Sequence, residues 1–421
     1  MTLDAKDLRL EDLDDLSFDA FSFEKLFSGD VDDPYPKIHK WMEQGSIIKG
    51  KYRDEFSKVP DPFYVDEEQY LVLGYDAVTK VLMRPEIFRN YEAQIKTLGQ
   101  FFGEKVLTVL DAPDHTKFRK IFQKAFLPNV VGKWGDTIVQ PVLDGLMEKF
   151  LDRGEADLIE DFTHHFPFQI IYRQINIGMD QAPVFHKIAV AQLLSAVGRP
   201  EGLEATEKLG KFFSALVEER RRNPGPDLVS HLANIELDGE LLPTDVLIDF
   251  LRQLMNAGGD TTYRATSCLL TGLLTNPDQY AAIEKDRSLI PQAIDEALRW
   301  EPPASVVYRT AVEDTEIDGV KIPKGALMNV VLASANRDPA KFENPDKFDI
   351  FRSRKVRHYG FAVGPHVCVG QHLARVEMTR AINAVLDKMK NLRLDPDKPG
   401  PNITGHILRS PEHLYVKFDR A

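Results

Sequence analysis

The sequence predicts a mainly α fold with a minor β-sheet, built as one large helical domain over residues 1–421 around a central long helix and a cysteine-bearing loop. Three observations lead there. Apolar residues recur with helical period through 114–126, 136–152, 181–197, 203–222, 243–275, 277–285, 291–300 and 371–390. Strand-like runs are short and sit towards the two ends of the chain. No Ser/Gly linker, charge block or internal repeat divides the chain, and its 26 glycines and 26 prolines are spread evenly.

Taken in order, Phe63-Tyr64-Val65 and Tyr70-Leu71-Val72-Leu73 read as strands around the polar turn Asp66-Glu67-Glu68. Glu316-Ile317, Lys321-Ile322, Leu327–Val331 and Leu414–Phe418 are the other strand signals, so the sheet is expected to draw on both ends of the chain. The run Val197-Gly198-Arg199-Pro200-Glu201-Gly202 lies between two helical stretches and reads either as the hinge of a lid or as an ordinary surface turn. The longest helix runs from Pro243, suited to a first turn, to the stop at Asn276-Pro277, nearly 50 Å at ~1.5 Å per residue. Its middle is Ala257-Gly258-Gly259-Asp260-Thr261-Thr262. Each interior glycine costs ~1 kcal/mol against alanine, so a ligand's close approach or a local opening of the ladder is expected to compensate.

With 53 basic and 65 acidic side chains, the net charge of −12 argues against a nucleic-acid partner. The N-terminus is too acidic for a signal peptide, and no apolar run reaches the ~18 residues that span a bilayer. A soluble, cytoplasmic protein with no membrane association is expected. Two cysteines a hundred residues apart form no disulfide framework, and Cys268, in an apolar run, reads as packed core.

Cys368 differs. It stands in Phe361-Ala362-Val363-Gly364-Pro365-His366-Val367-Cys368-Val369-Gly370, directly before a periodic helix. A thiol at a helix N-terminus is pushed towards thiolate, and glycines without Cβ let the backbone aim N–H groups at the sulfur. An anionic sulfur suits a soft metal, haem iron foremost. A lone cysteine is more often a small buried hydrophobe, so the reading depends on the surrounding run.

That run resembles the haem-binding loop of the cytochrome P-450 family: Phe, Gly, any, Gly, any, His or Arg, any, Cys, any, Gly. It departs once, at Ala362. The resemblance spans residues 110–420 and implies a bacterial-type monomeric haem-thiolate monooxygenase with haem b as cofactor and Cys368 as axial ligand. Asp260 and Thr261 then match the family's acid–alcohol pair, whose task is to relay the protons that O–O cleavage consumes. His115, Arg119, Arg309 and His366 match the groups that hold the haem propionates. Glu296 and Arg299, joined by Arg352, match a structural lock beneath the loop. Without the cysteine motif, the Thr261 hydroxyl would read as back-bonding to its own helix and Glu296–Arg299 as an ordinary surface pair.

The implied reaction inserts one atom of O2 into a small hydrophobic substrate. Phe101, Phe102, Ala257, Val306, Val307 and Leu408 are expected in the pocket wall, with Met255 and Leu107 nearby. No iron–sulfur cysteine cluster and no dinucleotide fingerprint follows a strand, so NAD(P)H is expected to act only indirectly, through ferredoxin and ferredoxin reductase. Arg352, Arg354, Lys355 and Arg357, with Lys117, Lys120 and Lys124, are expected to form their docking face. Two alternatives stay open: a haem-thiolate protein that only binds a ligand or uses peroxide, and a haem-free helical scaffold.

Overall fold

The computed structural model describes residues 31–57, 61–178, 180–194 and 199–421. Its axis is the helix Thr244–Leu274, which starts after Pro243 and stops before Asn276-Pro277 as the sequence predicts. Two hydrophobic clusters meet along it. Val246 to Tyr263 pack with the helices Asp114–Ala125, Ala182–Leu193 and Pro200–Arg222. Ala265 to Leu274 pack with Gln140–Met147, Ile290–Trp300 and Gln371–Lys388. The segment Ala257–Thr262 lies where the first cluster gives way to the second.

The strands expected in one sheet fall into three. Ile47–Lys49, Gln69–Val72, Leu327–Val331, Val306–Ala311 and Phe88–Arg89 form a five-stranded sheet in that order, with one parallel pairing between Gln69–Val72 and Leu327–Val331. The C-terminal strand Tyr415–Arg420 pairs instead with Met389–Leu394 and Glu155–Asp157. Thr315–Ile317 and Val320–Ile322 close a hairpin through Asp318-Gly319, both at positive φ, as a two-residue turn requires.

One local expectation needs correction, and a second falls partly outside the described residues. Phe63–Val65 is not a strand. The Phe63 N–H donates to Asp61 Oδ1 at 2.9 Å, which turns the chain, and the ring packs edge-on against Phe101. Within the expected hinge, Val197 and Gly198 lie outside the described residues. Pro200, Glu201 and Gly202 form the first turn of Pro200–Arg222, where a proline's fixed φ suits a helix start.

The helices Tyr35–Gln44, Tyr75–Leu82, Phe166–Gln174 and Leu332–Asn336 are additions to the predicted set. No described helix is long and apolar enough to cross a membrane.

Candidate functional site

The loop before Gln371–Lys388 is held by tight turns. Gly364 has φ +82°, and a Cβ there would sit 2.5 Å from the Leu82 carbonyl oxygen, so only glycine fits. Ala362, the one departure from the family pattern, has φ +55°, a left-handed conformation that costs a side-chain-bearing residue roughly 1 kcal/mol. The Cys368 N–H donates to the Phe361 carbonyl at 3.0 Å, closing the loop. Cys368 presents surface, yet protein surrounds it; the surface belongs to a cleft of about 370 Å³ whose walls include His115, Arg119, Phe126 and His372. Burial pushes the thiol pKa up, while N–H groups of Gly370 and Gln371 and the Arg119 guanidinium pull the other way. The helix-terminus argument therefore holds locally but is outweighed by burial. A metal ion is what turns such a thiol into a thiolate.

Four groups converge beside the sulfur. His115 and Arg119 sit one turn apart on Asp114–Ala125, Arg309 on the strand Val306–Ala311 and His366 in the loop. The rings of His115 and His366 lie 3.9 Å apart, and Asn90 holds His366 Nε2 at 2.6 Å. Arg119 Nη2 donates to the Val367 carbonyl at 2.6 Å and Arg309 Nη1 to that of Tyr308 at 2.7 Å. Burial lowers all four pKa values, His115 to about 4, His366 to about 2 and Arg309 to about 10, and the guanidiniums depress both histidines further. His115 Nε2 is buried without a partner. Buried cations and donors packed this closely call for an anion. A soft sulfur ligand beside a carboxylate-binding set is the chemistry that fits a haem with two propionates.

On the central helix, Ala257 is exposed and Thr261 partly exposed, one turn apart on a helix otherwise almost wholly buried, so this face borders an internal cavity. Thr261 Oγ1 donates to the Ala257 carbonyl at 2.7 Å. Asp260 is gripped at both oxygens by Arg264, at 3.0 and 3.1 Å, and Arg264 Nη1 reaches Ser410 at 3.0 Å. The glycines serve a different end from the one expected. A Cβ on Gly258 would lie 2.5 Å from Ile171 Cδ1, and one on Gly259 2.5 Å from Phe168 Cδ1. They let Phe166–Gln174 pack directly against the central helix.

Glu296, Arg299 and Arg352 assemble as expected. Glu296 accepts from Arg299 at 2.7 and 2.8 Å, from Arg352 Nε at 3.2 Å and from the Asp349 N–H at 2.9 Å. Both arginines also cap backbone carbonyls, including that of Lys347, so the network ties helix to loop. This removes Arg352 from the expected docking run. Arg354 is tied as well, at 2.6 Å to Asp295, a carboxyl that burial would raise but that His358 and Arg375 hold well below the usual range. Lys120, Lys124, Lys355 and Arg357 remain exposed. Lys117 pairs with Asp238 at 3.1 Å.

Among the expected wall residues, Phe101 and Phe102 pack together beneath Ala182–Leu193, Val306 joins Tyr35 and Ile38 in a core cluster, Val307 borders the cluster around Tyr70, and Leu408 bridges Ala304. Sequence reasoning missed two polar networks. Gln192 and Asn256 bond to each other above the cavity-facing stretch. Glu301, buried, accepts from Tyr35, Arg337 and Arg409 at 3.0, 2.7 and 2.7 Å. Helical amides and a Glu after a helix carry no sequence signal of such partners.

A helical body threaded by one long helix that carries an acid–alcohol pair, together with a cysteine loop flanked by His115, Arg119 and His366, is the arrangement of a haem-thiolate oxygenase. The profile of the family Cytochrome P-450 matches residues 179–418. Pulcherriminic acid synthase of Bacillus subtilis is 30% identical over 86% of this chain and 93% of its own. Cytochrome P-450 monooxygenase PikC of Streptomyces venezuelae is 30% identical over 89% of each. The solved structure of the cytochrome P-450 PksS of the Bacillus subtilis bacillaene polyketide synthase superposes with a TM-score of 0.82, at 25% identity, over 96% of this chain and all of that one. The chain belongs to the cytochrome P-450 family and is a haem-dependent monooxygenase.

Proposed function

We propose that Cys368 is the axial ligand of haem b, and that His115, Arg119, Arg309 and His366 hold its propionates. Once bound, the haem supplies the redox chemistry that splits dioxygen, one atom of which enters a small, mostly apolar substrate. Residues 1–421 act as one domain in this reading. The observation that carries it is Cys368, its sulfur faced by the N–H groups of Gly370 and Gln371, within reach of the Arg119 charge.

Thr261 holds a proton at Oγ1 on the cavity face, at present spent on the Ala257 carbonyl. Turning that hydroxyl into the cavity puts a donor where oxygen is reduced. Asp260 resupplies it by leaving Arg264 for a path to solvent. A protein that only bound a ligand would have little use for this pair.

Electrons come from a ferredoxin and its reductase in the cytoplasm, with NAD(P)H as their source. The ferredoxin docks on the face marked by Lys120, Lys124, Lys355 and Arg357, steered by opposite charge. A carbon monoxide difference spectrum of the reduced protein tests the centre: the red-shifted Soret band appears in the wild type and is lost in Cys368→Ser. A variant that keeps the band overturns the ligand assignment. NADH use coupled to product in a ferredoxin system tests the rest.

A further inference from the structure

The cysteine loop is entered through residues 358–360 and left along Gln371–Lys388, and one carboxylate reaches both ends. Asp295 stands on Ile290–Trp300, one residue before the Glu296 of the lock. Its Oδ1 accepts from Arg375 Nη1 at 2.6 Å, on the exit helix, and from His358 Nε2 at 3.3 Å, on the entry. Its Oδ2 takes Arg354 at 2.6 Å. His358 passes the hold on, because its Nδ1 accepts the Gly360 N–H at 3.1 Å. An imidazole nitrogen that accepts carries no proton, so the proton of the neutral ring is on Nε2, which donates to Asp295. Turned over, the ring would offer carbons to both partners, so the network also fixes its orientation. Burial keeps the ring neutral, lowering its pKa against the pull of Asp295.

What His358 holds is the backbone next to the bond that closes the loop. Gly360 is pressed against the Leu298 carbonyl, where a Cβ would come within 2.7 Å. The residue after it, Phe361, gives its carbonyl to the Cys368 N–H at 3.0 Å. From the exit side, the Arg375 guanidinium reaches within 5.1 Å of the centre of the Phe361 ring, so the two ends of the loop meet at Asp295. A slip of Gly360 is therefore carried through Phe361 to Cys368, whose sulfur faces the N–H groups of Gly370 and Gln371. Donors aimed at a ligating sulfur favour the more electron-rich, reduced metal and so raise its reduction potential.

We propose that His358 is a positioning residue for the axial cysteine: held by Asp295, it seats Gly360 and Phe361 and so fixes how N–H groups meet the Cys368 sulfur. Its task differs from that of the Glu296 lock, whose arginines cap the carbonyls of Asn336, Pro345 and Lys347. The inference rests on Cys368 as the haem ligand, which the carbonyl spectrum reports separately from the potential that tests His358.

Three variants of the full-length holoprotein separate the terms, read as the haem reduction potential without substrate. His358→Phe keeps a ring, removes the acceptor and, the imidazole being neutral, changes no charge. Poised at the wild-type midpoint, it should show a ratio of reduced to oxidised haem about five-fold lower. His358→Asn places a side-chain oxygen two residues before the Gly360 N–H, the spacing of an Asx turn, and should bring the ratio back to within about two-fold of wild type. Asp295→Asn keeps one oxygen for His358 and Arg375, turns its amino group to the exposed Arg354 and should hold the ratio within about two-fold as well. A wild-type potential in His358→Phe with the red-shifted carbonyl band intact overturns the proposal, and so does a His358→Asn that falls as far as His358→Phe. A shift in Asp295→Asn alone would mark a charge effect and overturns it equally. If His358→Phe loses its haem, nitrogen NMR of isotope-labelled histidine in the wild-type carbonyl complex decides. A bare Nδ1 with a protonated Nε2 supports the assignment, and the opposite tautomer overturns it. A wild type without the band fails at the ligand assignment itself, whereas an intact band with an unmoved potential removes only His358.

Discussion

Replacing Gly259 by alanine sets two effects against each other. In an exposed helix the change would stabilise by ~1 kcal/mol, because glycine is the poorer helix former. Here the new methyl would lie 2.5, 2.6 and 2.7 Å from three atoms of the Phe168 ring. That ring is 1% exposed and wedged against His186, edge to face at 4.4 Å, so it has nowhere to turn. Relieving the overlap means parting two packed helices, and overpacking of this kind costs ~1–3 kcal/mol. With the clash on a rigid ring at the upper end of that range, the net loss is ~1–2 kcal/mol. Gly258→Ala is the control. Its methyl meets only the terminal Cδ1 of Ile171 closer than 3 Å, and a rotamer change of ~0.5–1.5 kcal/mol clears it. That roughly cancels the helix gain, so Gly258→Ala should be nearly neutral. Urea unfolding of both holoproteins, followed by fluorescence of the three tryptophans, measures the difference. A stabilised Gly259→Ala, or a Gly258→Ala that is the worse of the two, would refute the packing argument.

Three further outcomes are expected. Glu296→Gln leaves Arg299 and Arg352 without their shared carboxylate in a buried site and should cost ~3–5 kcal/mol, with loss of haem on mild heating; a urea midpoint equal to wild type would count against the lock. Thr261→Ala should bind substrate and take up electrons normally yet divert them to hydrogen peroxide, so full coupling of NADH to product would remove Thr261 from proton delivery. Lys120→Glu with Lys355→Glu should slow reduction by ferredoxin at low ionic strength and leave substrate affinity unchanged, while rates equal to wild type would move the docking face elsewhere.

The parts legible in the sequence were those whose cause is local. Pro243 and Asn276-Pro277 delimit the long helix because both act on their own backbone. The loop is readable from Gly364 and Cys368 because the turn and the thiol lie within five residues. What stayed hidden depends on distant partners. The two glycines carry no sign of Phe168 and Ile171, some ninety residues upstream, so a ligand's approach or a local opening of the ladder is what the sequence suggests instead. Arg354 looks like free surface charge until Asp295 takes it up. Phe63–Val65 has strand composition, but one side-chain acceptor at Asp61 overrides it. Asn256 and Gln192 are unremarkable helical residues, and only the fold brings their amides together.

The network around Glu301 also bears on how the chain reaches this state. Arg409 arrives on the hairpin of Ile403–Thr404 and Ser410–Pro411, which in turn receives the start of the described chain: the Gly405 N–H donates to the Val31 carbonyl at 2.8 Å, and Asn402 Nδ2 to Asp32 Oδ1 at 2.8 Å. Tyr35 therefore depends on a hairpin far downstream in sequence to complete its surroundings. The helices around Thr244–Leu274 can form from contacts closer in sequence, but this seam closes only once Arg409 is available to meet Tyr35 and Glu301, which makes its closure a late step in folding.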